Sequence, residues 1–301
     1  MIKIEKDKLY LITGGSGFLG IPLCDRVLKM GGRVRVIARD EGKLVELQQM
    51  YPEIEILTGD ISDKFEVKQA MKGVNGVFHL AASKHVGIAE QQVRECVKSN
   101  TIGSMHILDE SLETKPDFVL GISTDKAAQV AGVYGASKLL MERLFGQFER
   151  LNDDTKYRLV RYGNVLYSTG SVLCKWKDLL KEGKEIIITD PEATRFFWTV
   201  DQAVDLIFDC LETADNYEPH ITKMKSMEMG DLLKAMAKKY IQLFEKGIGK
   251  KKATEIAEAM VGKTLNELQS DFEQAAFIRS YDEVYNPKDI DYFWHNKNLL
   301  P

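Results

Sequence analysis

Tyr134 and Lys138 lie four residues apart in the stretch Ile122-Ser-Thr-Asp-Lys-Ala-Ala-Gln-Val-Ala-Gly-Val-Tyr-Gly-Ala-Ser-Lys138. On a helix this spacing projects both side chains from one face. An ammonium beside a phenol favours the phenolate, because an opposite charge stabilises the ionised form. Tyr134 is therefore a candidate base for taking the proton of an alcohol near neutral pH. Thr124, just after an apolar run, is placed to hydrogen-bond the same alcohol. Asp125 and Lys126 follow it directly, an acid and a base delivered side by side. Without context, Tyr-x-x-x-Lys also describes an ordinary helix surface, and Asp125-Lys126 a solvated ion pair.

The context is a repeated alternation of short apolar runs and helical patterns. Phe118 to Ile122 reads as a buried strand, and Ala136 to Phe148 carries apolar residues at helical spacing. At the N-terminus, a strand (Leu9 to Thr13) runs into Gly14-x-x-Gly17-x-x-Gly20 and a helix (Ile21 to Met30). Strand, glycine turn and helix together form a dinucleotide fingerprint, in which the backbone approaches a pyrophosphate held by the helix start. A second strand, Arg33 to Ala38, ends in Arg39-Asp40. A guanidinium there can pair with a 2′-phosphate and stack on adenine, which points to NADP. NAD is the alternative, with Asp40 on the ribose 2′-hydroxyl. Helix (Gly42 to Met50), strand (Ile54 to Thr58), Gly59-Asp60, helix (Asp63 to Met71) and strand (Gly76 to Leu80) follow, with Asp60 expected at the adenine edge. Ala81-Ala82 leaves room for a ribose, a helix from Ala89 to Leu112 carries Asn100, and His79 reads as a core histidine. The rhythm predicts an α/β protein with a Rossmann-like doubly wound parallel sheet. A smaller, mainly α C-terminal region would bind substrate, with domains at 1–165 and 166–301 and some later segments returning to the sheet.

Composition narrows the classes. Lys plus Arg number 41 against 45 Asp plus Glu, giving −4, so no global field draws nucleic acid or an anionic membrane. No apolar run approaches the roughly 20 residues of a membrane span. The start runs straight into a strand pattern, so no signal peptide is expected. Cys24, Cys96, Cys174 and Cys210 are scattered and lack metal spacing, which suggests reduced thiols, a cytoplasmic setting and no bound metal.

Taken in order, Thr13-Gly-Gly-x-Gly-x-x-Gly20, Asp60, Leu80-Ala-Ala82, Thr124 and Tyr134-x-x-x-Lys138 resemble the extended short-chain dehydrogenase/reductases. One branch is closer, the soluble UDP-N-acetylglucosamine 4,6-dehydratases of polysaccharide and nonulosonic-acid biosynthesis. The residues carrying that likeness are Ala38-Arg-Asp-Glu41, Lys84-His-Val86, Ile122-Ser-Thr-Asp-Lys-Ala127, Tyr134-Gly-Ala-Ser-Lys138, Arg161-Tyr-Gly-Asn-Val165 and Thr194-Arg-Phe-Phe-Trp198. The resemblance implies that Tyr134, poised by Lys138 and Thr124, removes the C4-hydroxyl proton as hydride leaves for tightly bound NADP. Lys126 would then take the C5 proton and Asp125 would protonate the departing C6 hydroxyl. Hydride returns to C6, the cofactor is regenerated, and inverting members reprotonate C5 from the other face. It further implies a cofactor site of Gly14, Ser16, Gly17, Phe18, Leu19, Gly20, Arg39, Asp60, Ile61, Leu80, Ala81, Ala82, Lys84, Asn100, Tyr134, Lys138, Tyr162 and Asn164. The UDP-sugar would meet Lys84, His85, Thr124, Asp125, Lys126, Asn164, Ser171, Val172, Thr189 and Arg195, in a homo-oligomer.

The substrate side is expected to contain a helix from Gly170 to Leu180, a strand from Glu185 to Thr189 and a helix from Val200 to Leu211. Where the relatives carry Arg-Pro-Gly-Glu-Lys against the diphosphate, this sequence has Lys246-Gly-Ile-Gly-Lys-Lys-Lys252 and then two helical patterns. An aromatic tail follows, Tyr281, Tyr285, Tyr292, Phe293 and Trp294. Two other functions fit parts of the pattern. A nucleotide-sugar 4-epimerase or reductase would use Tyr134 and Lys138 but leave Asp125 and Lys126 idle. A catalytically weak dinucleotide-binding regulator would need none of the four.

Overall fold

Strand β1 (Leu9–Thr13) is buried along its whole length, as its unbroken apolar run requires of a strand covered on both faces. In the computed structural model, which describes residues 2–182 and 184–237, it is an inner strand of a parallel sheet, third from one edge. The described chain forms two units. One comprises residues up to Gly163 together with Val200–Thr222, and the other Asn164–Thr199 together with the residues from Lys223.

The first unit is built from α1 (Gly20–Lys29), β2 (Arg33–Ala38), α2 (Glu41–Met50), β3 (Glu55–Thr58), α3 (Lys64–Met71) and β4 (Gly76–His79) after β1. There follow α4 (Val86–Gln91), α5 (Val93–Val97), a π-helical turn at Lys98–Ile102, α6 (Gly103–Thr114), β5 (Phe118–Thr124), α7 (Val133–Leu151) and β6 (Lys156–Tyr162). The seven strands of its sheet run in the order β3-β2-β1-β4-β5-β6-β9, all parallel, with β9 at Pro219–His220 after the helix at Val200–Thr213. This is the doubly wound fold that the alternation predicts. The order reverses between β1 and β4, so the switch point lies at the carboxyl ends of those strands. Asp40 caps α2 through Lys43 N, and Asp63 caps α3 through Phe65 N and Glu66 N, each cap worth about 1 kcal/mol. Tyr10 and Phe118 stack, and Phe78 meets Phe118 edge-on, in the core under β1, β4 and β5.

One expected element of this unit differs. The single helix expected from Ala89 to Leu112 is broken: α5 passes into the π-helical turn and then α6. Asn100 lies in that turn, with its side-chain oxygen accepting from Ser83 N and its amide donating to Ser83 O and Ser137 Oγ. A one-residue bulge in the helical ladder turns a polar side chain inward, where a regular helix keeps its own phase.

The second unit holds β7 (Asn164–Val165), α8 (Val172–Glu182), β8 (Thr194–Trp198) and β10 (Lys225–Glu228), with the α9 helix at Val200–Thr213 belonging to the first unit. Its three-stranded sheet pairs β10 antiparallel and β7 parallel to β8. Leu173, Trp176 and Leu180 of α8 pack with Phe197 and Met227 in a core of their own. The expected strand from Glu185 to Thr189 does not form. Ile186 is buried in this core while Ile187 is 81% exposed, and among the described residues no strand pairs with the run. β-branched residues favour a strand only where a ladder exists to join.

Candidate active site

Thr124 ends β5, Asp125–Ala127 make one 3-10 turn, and Tyr134 is the second residue of α7. The start of α7 reaches that turn because position 135 is glycine: a Cβ there would run into the Lys126 carbonyl. The approach brings the Tyr134 phenol to the Thr124 hydroxyl, and the two are hydrogen-bonded. Thr124 Oγ1 in turn donates to Asp125 Oδ1 at 2.9 Å, and Lys126 Nζ donates to the same oxygen at 3.0 Å. The side chains of Tyr134, Thr124, Asp125 and Lys126 thus form one continuous chain.

Burial pushes the phenol up to about 12, and Asp125 and Cys96 add to the rise against the opposing hydrogen bond with Thr124. Lys138 Nζ is spent elsewhere, donating to Ile122 O at 2.8 Å, with Met141 Sδ 3.4 Å away. Burial pulls the lysine down to about 8, although Glu142 and Cys96 favour its charge. Burial therefore outweighs the hydrogen bond with Thr124 at the phenol. Tyr162, fully enclosed nearby, is also raised by burial and then by Tyr134.

A second polar chain runs behind the carboxyl ends of β1 and β4. Thr13 Oγ1 accepts from Leu80 N and Ala81 N at 3.1 and 3.0 Å, and so donates its own hydrogen to His79 Nδ1 at 2.9 Å. His79 Nε2 then donates to Ser104 Oγ at 2.9 Å, because Ser104 spends its hydrogen on Asn100 O. Burial, and next the charge of Lys138, drive His79 down to about 3, so the imidazole is neutral. His79 is a core residue, as its flanking strand suggests. From Asn100 the chain continues to Ser137 Oγ, which donates to Tyr134 O. Ser83, Ser104 and Ser137 are parts of this scaffold that sequence reasoning missed. The weak signal was the run Ser99-Asn-Thr-Ile-Gly-Ser104, polar and small inside an otherwise helical pattern.

The glycine loop fits a dinucleotide. Gly14 sits at φ +69°, closed by Gly14 N to Ile37 O and Gly17 N to Gly14 O, and a Cβ on it would lie 3.1 Å from the Ala81 backbone. A Cβ on Gly20 would fall 2.5 Å from the Gly15 backbone, so α1 packs directly on the loop. No side chain caps α1 and no acid sits in its first turn, which leaves its amide end suited to a phosphate. At the β2 end, Asp40 is occupied with Lys43 N, while Arg39 lies 3.9 Å from Asp60. Burial raises Asp60, but two bonds from Ser62 and the charges of Arg39 and Lys98 hold it below the usual carboxylate range. Ser16 and Ile61 are buried beside these positions and Ala82 is half-buried, whereas Lys84 and His85 are exposed.

The sequence profile of a family described as polysaccharide biosynthesis protein matches residues 10–280. The chain belongs to that family. It is 34% identical over 273 residues to a UDP-N-acetylglucosamine 4,6-dehydratase (inverting) of Campylobacter jejuni, covering 88% of this chain and 81% of the relative. It is also 34% identical to a UDP-glucose 4-epimerase of Rickettsia rickettsii, over 76% of this chain and 70% of that one. Among solved structures, Pen from Bacillus thuringiensis superimposes with a TM-score of 0.76 at 33% identity, covering 79% and 76% of the two chains. The protein is thus an extended short-chain dehydrogenase/reductase of the nucleotide-sugar dehydratase/epimerase kind.

For this family member, the remaining expected substrate residues lie in the second unit. Asn164 Nδ2 donates to Phe196 O at 3.1 Å and so ties β7 to β8. Ser171 Oγ accepts from Cys174 N at the start of α8, next to half-exposed Val172. Arg195 is exposed, with Nη1 on Thr194 O, and Thr189 is in an irregular segment. Lys246–Lys252, the two helical patterns beyond it and the aromatic tail lie outside the described residues. Among the described residues no cluster of three metal-binding side chains occurs, and no helix is long and apolar enough to cross a membrane. All four cysteines are free.

Proposed function

We propose that this protein is a 4,6-dehydratase acting on UDP-N-acetylglucosamine, with NADP retained through the cycle. The observation that carries the reading is the Asp125–Lys126 pair, 3.0 Å apart and joined through Thr124 to Tyr134. Oxidation at C4 alone needs only the tyrosine end. An acid and a base beside it serve an elimination, in which one group removes the C5 proton and another protonates the leaving oxygen. The cofactor, when bound, supplies the hydride acceptor and returns the hydride to C6. Tyr134 takes the C4-hydroxyl proton, Lys126 the C5 proton, and Asp125 delivers a proton to the C6 oxygen. Lys138, anchored on Ile122 O, holds positive charge beneath the site below about pH 8. NADP is preferred over NAD because exposed Arg39 at the β2 tip is free to meet a 2′-phosphate while Asp40 is committed to capping α2.

The test is incubation of the purified protein with UDP-N-acetylglucosamine and no reductant, followed by mass spectrometry of the nucleotide sugar. Loss of one water without cofactor consumption is expected. Asp125→Asn and Lys126→Ala should stop water loss while C4 oxidation persists as reduced cofactor. An unchanged mass with conversion to the C4 epimer would overturn the reading in favour of an epimerase.

A further inference from the structure

If the reaction is a dehydration, its proton traffic poses a question that the site geometry answers. The conversion removes a proton from the C4 oxygen and adds one to the departing C6 oxygen, while the C5 proton leaves and is replaced. Asp125 Oδ1 accepts from both Thr124 Oγ1 and Lys126 Nζ. Lys126 has to be an uncharged amine to take the C5 proton, so the proton that Asp125 needs as an acid comes from the other side of the chain, the Tyr134 phenol. Between them stands Thr124, 5% exposed, hydrogen-bonded to the Tyr134 phenol and donating to Asp125 Oδ1 at 2.9 Å. Its backbone is fixed at the end of β5 by pairing with Tyr162, and its Oγ1 accepts from Lys126 N at 3.4 Å. A hydroxyl that both accepts and donates can carry a proton in one direction without any side chain moving.

We propose that Thr124 relays a proton from Tyr134 to Asp125, which supplies the acid for water loss; this rests on the dehydratase reading above. The C4 O–H bond breaks and its proton goes to the Tyr134 oxygen as hydride leaves C4 and the phenol's own proton passes to Thr124 Oγ1. In the same movement the Thr124 hydroxyl proton passes to Asp125 Oδ1. Asp125 transfers it to the C6 oxygen as the C6–O bond breaks and water forms. Tyr134, Thr124 and Asp125 end in their starting protonation states, and no proton donor from outside is required. In a plain epimerase the same chain has nothing to deliver.

The experiment compares wild type with Thr124→Val, Thr124→Ala and Thr124→Ser on UDP-N-acetylglucosamine, reading reduced-cofactor absorbance for C4 oxidation and mass spectrometry for water loss. Two hydroxyl-free variants are used so that a folding failure of one leaves the other. The relay predicts that water loss falls about 100-fold in Thr124→Val and Thr124→Ala, with reduced cofactor accumulating. It predicts near wild-type rates for Thr124→Ser. Added imidazole should accelerate water loss in Thr124→Ala with increasing concentration and leave wild type unchanged. Water loss at the wild-type rate in the hydroxyl-free variants would overturn the relay and make Lys126 the proton source. Equal loss of C4 oxidation and dehydration without rescue by imidazole would also overturn it, leaving Thr124 as a positioning group only. A wild type that dehydrates no UDP-sugar removes the underlying reading, and the relay falls with it.

Discussion

The two ends of the carboxyl edge of the large sheet are built on opposite physical plans. At the β5 end, Thr124, Tyr134 and Lys138 are wholly or partly buried and bonded to one another or to fixed backbone, and burial shifts Tyr134 up and Lys138 down. At the β2 end, three strand spacings or about 14 Å away, Arg39 is 68% exposed and 3.9 Å from a part-exposed Asp60. The first arrangement costs desolvation and gives fixed dipoles where charge must develop. The second costs little and selects among ligands by a surface charge that salt screens. Chemistry is therefore expected to be brittle to substitution at β5, and specificity adjustable at β2.

The sharpest break of that contrast is Tyr134→Phe. Removing one oxygen leaves the ring in place but takes away the proton acceptor and the end of the bonded chain. Turnover is expected to fall about 10²–10⁴-fold, with substrate KM nearly unchanged. Steady-state kinetics with the variant check this. A loss smaller than tenfold would mean that Thr124 or Asp125 alone accepts the proton.

How far the sequence discloses these two ends follows the same division. β1, with its glycine loop, and β2 are legible to the residue, because an unbroken apolar run before the glycines and the Val34, Val36 and Ile37 positions before Arg39-Asp40 leave few ways to be buried. The meeting of Thr124 with Tyr134 is also legible, since a strand end and a helix start flank a short turn. What the sequence conceals is the balance at the site. Spacing says that Lys138 faces Tyr134, but not that its ammonium is taken by Ile122 O, nor that burial dominates. The π-helical turn around Asn100 is hidden because its cause is tertiary, a bond to Ser83 from another segment. The run at 185–189 misleads in the opposite sense, as Ile186 and Ile188 answer to a small local core while Ile187 is exposed, and the run joins no ladder among the described residues.

A middle-sized effect separates scaffold from chemistry. His79 bridges Thr13 and Ser104 behind the β1 and β4 ends, in a polar chain that meets Tyr134 at its backbone oxygen and not at its phenol. His79→Gln leaves at least one of those buried hydroxyls poorly paired, and a loss of about 1–3 kcal/mol in unfolding free energy is expected. The sign with pH follows from linkage. The folded imidazole titrates near 3 against 6.5 when unperturbed, so its contribution is complete above pH 6.5. As pH falls from 6.5 towards 3 the unfolded chain binds a proton that the folded chain refuses, removing about 1.4 kcal/mol per pH unit. Urea unfolding across that window should show a steeper acid loss in wild type than in His79→Gln. Parallel slopes would mean that His79 is accessible to protons in the folded state.

The smallest expected effect belongs to the β2 end. Arg39→Ala removes an exposed guanidinium whose protein partner, Asp60, already keeps two bonds from Ser62. Folding should be unaffected, and so should turnover at saturating cofactor, because nothing at the β5 end depends on this charge. The ratio of NADP to NAD affinity, measured by titration of the protein freed of cofactor, should drop about tenfold. Raising ionic strength should weaken NADP binding in wild type more than in the variant, since the interaction removed is solvent-exposed. A fall in affinity for both cofactors alike would place Arg39 on the adenine face, where it stacks without reading the 2′ position. A fall in turnover would be more consequential, for it would couple the two ends and end the contrast between a fixed centre and an adjustable rim.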